Sequence, residues 1–190
     1  MDIAGALRRA RTGPAMRALT RELTAGLRDL PRPPGDMGEL CRALCAAMGA
    51  LRGGRPVELR FERFPDELDV TGLWVEFQDF DLVIVEERAE EVQRLVILGH
   101  ELWHLHAGHR HHHAAAADAL ATRPGWPDVA LTVAARNGSR AADEAEADTF
   151  GHLLAASVRT YPRGPGDAGP DAAHRVQRSL GYRGRGGAAR

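Results

Sequence analysis

The sequence predicts an α+β fold in which a small antiparallel or mixed sheet of about three strands packs against helices. Four segments carry apolar residues at the spacing of an amphipathic helix, and three shorter segments in the middle of the chain follow strand patterns. Two of the helices precede the sheet and two follow it. The length of 190 residues suits one compact domain with a loose tail.

The two N-terminal helices are delimited by apolar stripes and by start and stop signals. The first stripe consists of Met16, Leu19, Leu23, Leu27 and Leu30. The prolines within residues 31–34 end this helix. Asp36 suits an N-cap, and Glu39 three residues later completes a capping-box-like start for the second helix. The apolar face of that helix consists of Leu40, Leu44, Met48 and Leu51.

Three strands are predicted after the second helix. Residues 57–64, VELRFERF, alternate between apolar and polar side chains, which is typical of a half-buried strand. The segments TGLWVEF and DLVIVEE are the other candidates, and QDFD between them suits a short hairpin turn. The run from Asp81 to Glu86 is almost continuously apolar. This strand is therefore predicted to be covered on both faces or to carry something on its edge.

The last two helices flank a long segment without a clear pattern. Apolar positions from Val92 onward predict a helix that continues through His106. Residues 109–140 predict a partly ordered lobe or lid, and residues 142–157 predict the last helix. The predicted divisions of the chain are a helical arm at 1–34, a core domain at 35–158 and a disordered tail at 159–190.

Composition excludes several classes of protein. The net charge is −1 at pH 7, so no basic field favours direct binding to nucleic acid. No segment approaches the run of about 18 apolar residues that spans a membrane, and the N-terminus lacks the apolar block of a signal peptide. A cytoplasmic protein is expected. Cys41 and Cys45, four residues apart on a helix, are expected to be reduced residues of the apolar face.

The third helix contains a motif typical of zinc enzymes. His100, Glu101 and His104 form the pattern H-E-x-x-H. Residues four apart on a helix share a face, so both imidazoles can point at one ion. The Glu beside the first His then lies near the open position of the metal, where it can act as a general base. The motif predicts a Zn²⁺ site with Glu101 as the catalytic residue.

A catalytic zinc ion also needs a third protein ligand. The longer pattern H-E-x-x-H-x-x-G-x-x-H does not fit, because Gly108 and His109 are each misplaced by one residue. Glu144 on the last helix is the better candidate. Asp148, one turn later, lies on the same face and can accept the free ring N–H of a ligating His. Glu146 is the rival ligand, but it points about 200° away from Glu144 on an ideal helix.

The remaining histidines receive less specific expectations. His106 and His109 follow the motif closely, and either one is a candidate for stabilising an oxyanion or contacting substrate. His111, His112 and His113 are expected to form a solvated, weakly metal-binding tract. His152 either borders the cleft or lies on the surface.

Two segments resemble the ImmA/IrrE family of metallo-endopeptidases, a gluzincin-like group. LVILGHELWHLHAGH resembles the active-site helix of the family, and EAEADTFGHLLA resembles its second motif. The resemblance implies a zincin-like domain in which the H-E-x-x-H helix and a second ligand helix pack on the sheet. It assigns zinc to His100, His104 and Glu144, catalysis to Glu101 and the orienting role to Asp148. Gly151 and His152 replace the residues that usually follow the Phe of the second motif.

The resemblance also implies a function and a partner. Family members cleave or otherwise inactivate a helix-turn-helix regulator, and short members are often described as the toxin of a toxin–antitoxin system. A zinc-dependent endopeptidase with a regulator or antitoxin as substrate is therefore expected, its peptide lying along an edge strand at Asp81 to Glu86. One alternative is a non-proteolytic, zinc-containing binding module that regulates a DNA-binding partner. Another is a metal-buffering protein that uses residues 111–113.

Overall fold

The computed structural model describes residues 3–64, 66, 70–109, 141–159 and 161, with side chains from residue 12 onward. These residues form four helices and a mixed three-stranded sheet, which confirms the α+β prediction. The elements are α1 Ile3–Arg28, α2 Met37–Leu51, β1 Val57–Glu62, β2 Gly72–Glu76, β3 Asp81–Glu86, α3 Glu91–Ala107 and α4 Ala141–Val158. The predicted lobe after His109 and the predicted tail after Tyr161 lie outside the described residues. Within the described part of the chain, no helix is long and apolar enough to cross a membrane.

The predicted apolar stripes of the N-terminal helices are buried, except for the last residue of each stripe. Leu30 is 36% exposed because α1 already ends at Arg28, ahead of the prolines that disfavour helical backbone before them. Leu51 is 45% exposed because it is the last residue of α2, where the chain turns away. The predicted cap is confirmed: Asp36 accepts a hydrogen bond of 2.7 Å from the backbone N–H of Glu39.

The sheet has the strand order β1-β3-β2, with β1 parallel and β2 antiparallel to β3. The predicted hairpin turn is confirmed, because the backbone N–H of Phe77 donates to the carbonyl of Phe80 at 2.9 Å. The expectation that Asp81 to Glu86 offers an edge was wrong. This strand is central, and both of its sides are already paired, so no peptide can add to it.

The central position of β3 explains its apolar sequence. Val83 and Val85 point into the core formed with the helices, whereas Leu82 and Ile84 point into a second cluster on the opposite face. That second cluster also contains Phe64, Val70, Leu73 and Val75. All six residues of β3 are buried, which confirms that the strand is covered on both faces.

Helix α3 packs against the sheet and along α4, and glycines let the two helices meet closely. A Cβ atom added to Gly151 would lie 2.4 Å from the carbonyl oxygen of Val96. One added to Gly99 would lie 2.8 Å from the Cα atom of Gly151. Real Cβ atoms do not approach so closely, so only residues without side chains fit at this crossing. The contact brings the acidic first turns of α4 beside the H-E-x-x-H segment of α3.

Charged groups hold both ends of β3. At its start, the buried Asp81 carboxylate accepts from Arg55 at 2.8 Å and from the indole N–H of Trp74 at 3.0 Å. At its end, the buried Glu86 carboxylate accepts from the guanidinium of Arg88 at 2.9 Å and from the backbone N–H of Phe64 at 3.0 Å. These bonds satisfy two carboxylates that would otherwise be costly to bury.

Candidate metal centre

Three potential ligand atoms converge where α3 and α4 meet. The Nε2 atoms of His100 and His104, one turn apart on α3, lie 2.9 Å from each other. An Oε2 atom of Glu144, from the first turn of α4, lies 3.3 Å from the first Nε2 atom and 3.6 Å from the second. This group could hold a metal ion. The structure thus brings together all three residues expected to be metal ligands.

The spacing of these atoms fits a tetrahedral ion. With metal bonds of about 2.0–2.1 Å, the corners of a tetrahedron lie about 3.3 Å apart. The three separations between the ligand atoms are 2.9, 3.3 and 3.6 Å, so they lie on either side of this value or equal it. Two imidazole nitrogens and one carboxylate oxygen are also a donor set that catalytic zinc uses. Both the geometry and the chemistry of the donors therefore fit such an ion.

The second ring nitrogen of His100 contacts another carboxylate of α4. An Oδ1 atom of Asp148 lies 2.9 Å from Nδ1 of His100, as expected for a residue one turn after Glu144. The Asp148 side chain is 68% exposed. Burial opposes the charged imidazolium, but the hydrogen bonds that His100 donates to Glu144 and Asp148 and the charge of Glu101 outweigh it and raise the pKa of His100 to about 9. These carboxylates would stabilise a metal cation in the same way.

Glu101 lies beside this group in a cleft of about 530 Å³. It is only 8% exposed, and the cleft is also lined by His100, Glu144 and the beginning of β2. A Cβ atom added to Gly72 would lie 2.7 Å from Oε1 of Glu101 and 2.6 Å from Cγ2 of Ile97. Gly72 was not among the predicted site residues, although a glycine in a strand can mark a close backbone approach.

The other candidate residues occupy different places. Glu146 is buried on α4 but does not belong to the group that could hold a metal, in agreement with its direction on an ideal helix. His106 packs its ring against Trp103. His152 lines a separate cleft of about 330 Å³ near the starts of α2 and α3. His109 contacts the side of the His104 ring that faces away from the convergent atoms. His111 to His113 lie outside the described residues.

Comparison with known proteins adds no relative. No protein-family profile, no curated protein and no solved structure matches this chain. The relation to the ImmA/IrrE metallopeptidases remains a resemblance carried by the two segments quoted above.

Proposed function

We propose that this chain is a zinc-dependent endopeptidase that cleaves a partner protein. The observation that carries the proposal is the group formed by His100, His104 and Glu144, with the buried carboxylate of Glu101 in the same cleft. The first three residues would hold Zn²⁺, which supplies a Lewis acid that polarises a peptide carbonyl. Asp148 would orient the His100 ring through its bond to Nδ1.

Glu101 is the proposed proton carrier. Its carboxylate accepts a proton from the water molecule that attacks the peptide carbonyl carbon. The same oxygen then donates this proton to the leaving nitrogen as the C–N bond breaks, so the products are a carboxylate and an amine. Its position next to His100 on α3 and its burial support this role, because a carboxylate with little contact with solvent is held in one place.

The substrate would lie along β2, not along β3. β2 pairs with β3 on one side, and no described strand pairs with its other side. Gly72, the first residue of β2, and the two residues before it, Val70 and Thr71, line the same cleft as Glu101. An extended peptide that adds to this edge by backbone hydrogen bonds would place a carbonyl near the convergent ligand atoms. A helix-turn-helix regulator or antitoxin is the proposed substrate, a choice supported by the resemblance alone.

The test compares two matched amide variants on α3. Glu101→Gln is expected to keep one zinc ion per chain and to lose cleavage by about 10²- to 10⁴-fold. Glu91→Gln makes the same change at an exposed site of the same helix and should cleave like wild type. The substrates are the regulator encoded by a neighbouring gene and a pool of quenched fluorogenic peptides. Cleavage by Glu101→Gln at the wild-type rate would reject the mechanism.

A second outcome would select the alternative function. If wild type binds the regulator without cutting it, and Glu101→Gln binds it equally well, the chain acts as a zinc-containing binding module. The measurements are intact-mass analysis of the regulator after incubation and the dissociation constant of the complex.

A further inference from the structure

The end of α3 turns His109 back onto a proposed zinc ligand. Gly108 ends the helix with a φ of 69°, a left-handed conformation that glycine adopts without strain. The backbone N–H of His109 then donates to the carbonyl of His104 at 2.9 Å. The two rings meet edge to face, with Nδ1 of His109 at 3.3 Å from Nδ1 of His104. The turn at Gly108 thus places the His109 ring against Nδ1 of His104, the ring nitrogen that does not face the proposed metal.

The positions of the ring protons decide which histidine donates this hydrogen bond. To bind a metal through Nε2, His104 must have its lone pair there, and as a neutral imidazole it then carries its proton on Nδ1. The N–H group at this position points at Nδ1 of His109, which must accept the hydrogen bond and so carry its own proton on Nε2. The Oδ1 atom of Asp143 lies 3.9 Å from this Nε2 atom. Asp143 is 6% exposed, so its charge acts over this distance with little screening by water.

We infer that His109 is a positioning residue for the metal site. It fixes the tautomer and the ring plane of His104 by accepting a hydrogen bond from its Nδ1–H group, and Asp143 favours the tautomer of His109 that can accept this bond. The inference rests on the metal site of the proposed function but not on peptide cleavage. Both proposed His ligands lie on α3, but different partners orient their rings. His100 contacts the exposed carboxylate of Asp148 directly, whereas His104 reaches the buried Asp143 through a second imidazole.

The experiment measures zinc affinity by competition with a chromophoric chelator at one fixed pH. His109→Ala is expected to weaken zinc binding by about 10- to 100-fold, the usual effect of removing a partner of a metal ligand. His109→Asn keeps an acceptor oxygen near the position of Nδ1 and should recover most of that loss. Asp143→Asn should weaken binding less than His109→Ala. His106→Ala, which removes a nearby imidazole that packs on Trp103, is the control and should bind zinc like wild type.

A second readout separates positioning from a loss of structure. The visible absorption of the cobalt-loaded protein reports the arrangement of ligands around the metal, and it should change in His109→Ala and return in His109→Asn. Circular dichroism of each variant checks that the fold is intact. Zinc affinity of His109→Ala within twofold of wild type would overturn the inference. So would an Asn variant as weak as the Ala variant, because the ring would then only fill space.

The outcomes also distinguish this inference from the proposed function. If wild type binds no zinc, the metal site itself is wrong and both fall. If the zinc affinities follow the expected order while Glu101→Gln cleaves as well as wild type, the mechanism falls and the role of His109 stands.

Discussion

The absence of a side chain at Gly72 leaves room for the buried carboxylate of Glu101 beside β2. The backbone of β2 passes so close to α3 that any side chain at this position would meet Glu101 and Ile97. A larger residue must therefore displace the Glu101 carboxylate or push β2 outward. On the proposed mechanism, both movements misalign the proton carrier with the peptide.

Gly72→Ala is therefore expected to reduce cleavage by about 100-fold, the scale associated with a shift of about 1 Å at a reacting group. Zinc affinity should remain at the wild-type value, because the atoms closest to the added Cβ belong to Ile97 and Glu101 and not to a proposed ligand. Gly35→Ala is the matched control, since the nearest atom to its added Cβ is 3.5 Å away. Steady-state cleavage rates and chelator competition make the comparison. Full activity in Gly72→Ala would mean that Glu101 needs no fixed position.

The two cysteines are expected to be unreactive in the folded protein. Burial raises the pKa of the Cys41 thiol to about 12 and raises that of Cys45 as well. The thiolate is the reacting form, so a thiol reagent at pH 8 should leave native protein unmodified and should modify both residues in denaturant. Mass spectrometry after timed quenching measures this. Rapid labelling of the native protein would show that α2 opens readily.

At the level of elements, the crossing of α3 and α4 assembles the site. Glycine inside a helix is normally replaced by alanine with a gain of about 1 kcal/mol. Gly151→Ala should have the opposite sign, with a loss of about 1–3 kcal/mol in the free energy of unfolding, because its Cβ would meet the Val96 carbonyl oxygen at 2.4 Å. Zinc affinity should fall too, since α4 carries Glu144.

Urea unfolding and chelator competition on Gly151→Ala test this expectation. His152→Ala, an exposed change at the next residue, should leave both quantities unchanged. A stabilised Gly151→Ala variant would contradict the close contact between the two helices.

The carboxylate of Glu86, at the end of β3, makes the stability of the fold sensitive to acid. The hydrogen bonds from Arg88 and Phe64 outweigh the burial of Glu86 and lower its pKa from 4.5 to about 2. A lowered folded-state pKa means that the stabilisation is complete above pH 4.5 and is lost as the pH falls toward 2.

Glu86→Gln should therefore be less stable than wild type at pH 7, and the difference should shrink as the pH falls below about 4.5. Glu58→Gln, an exposed change on β1, is the control and should show no such trend. The free energy of unfolding in urea, measured from pH 3 to pH 7, gives the comparison. A constant difference across this range would exclude the linkage.

Across the whole molecule, metal binding should be linked to folding. His100 and Glu144 belong to different helices, so the three ligand atoms converge only when α3 and α4 are packed. Zinc at 100 times its dissociation constant is then expected to add about 2.7 kcal/mol to the free energy of unfolding. Thermal unfolding with zinc and with a chelator measures this increment, and His100→Ala should reduce it. An equal midpoint in both conditions would show that wild type holds no metal.

Much of this arrangement could be predicted from local patterns. Periodicity located four helices and three strands. The H-E-x-x-H spacing identified His100 and His104, and the need for a third ligand on the last helix identified Glu144. Strand order could not be predicted, because the apolar run of β3 does not say which strands lie beside it. The role of His109 was missed for a similar reason. Its contact with His104 depends on the left-handed turn at Gly108, whereas its spacing only showed that it was misplaced as a ligand.

The shortness of β2 has a consequence for selectivity. Five residues give an edge of about 17 Å at the usual rise of a strand. A partner that pairs with it can present only about five residues, and because side chains alternate, only two or three of them face the same way. A segment of about five residues holds little sequence information, and similar segments would occur by chance in many proteins. On the proposed function, discrimination among targets must then come from contacts beyond this strand or from targets that expose an extended segment.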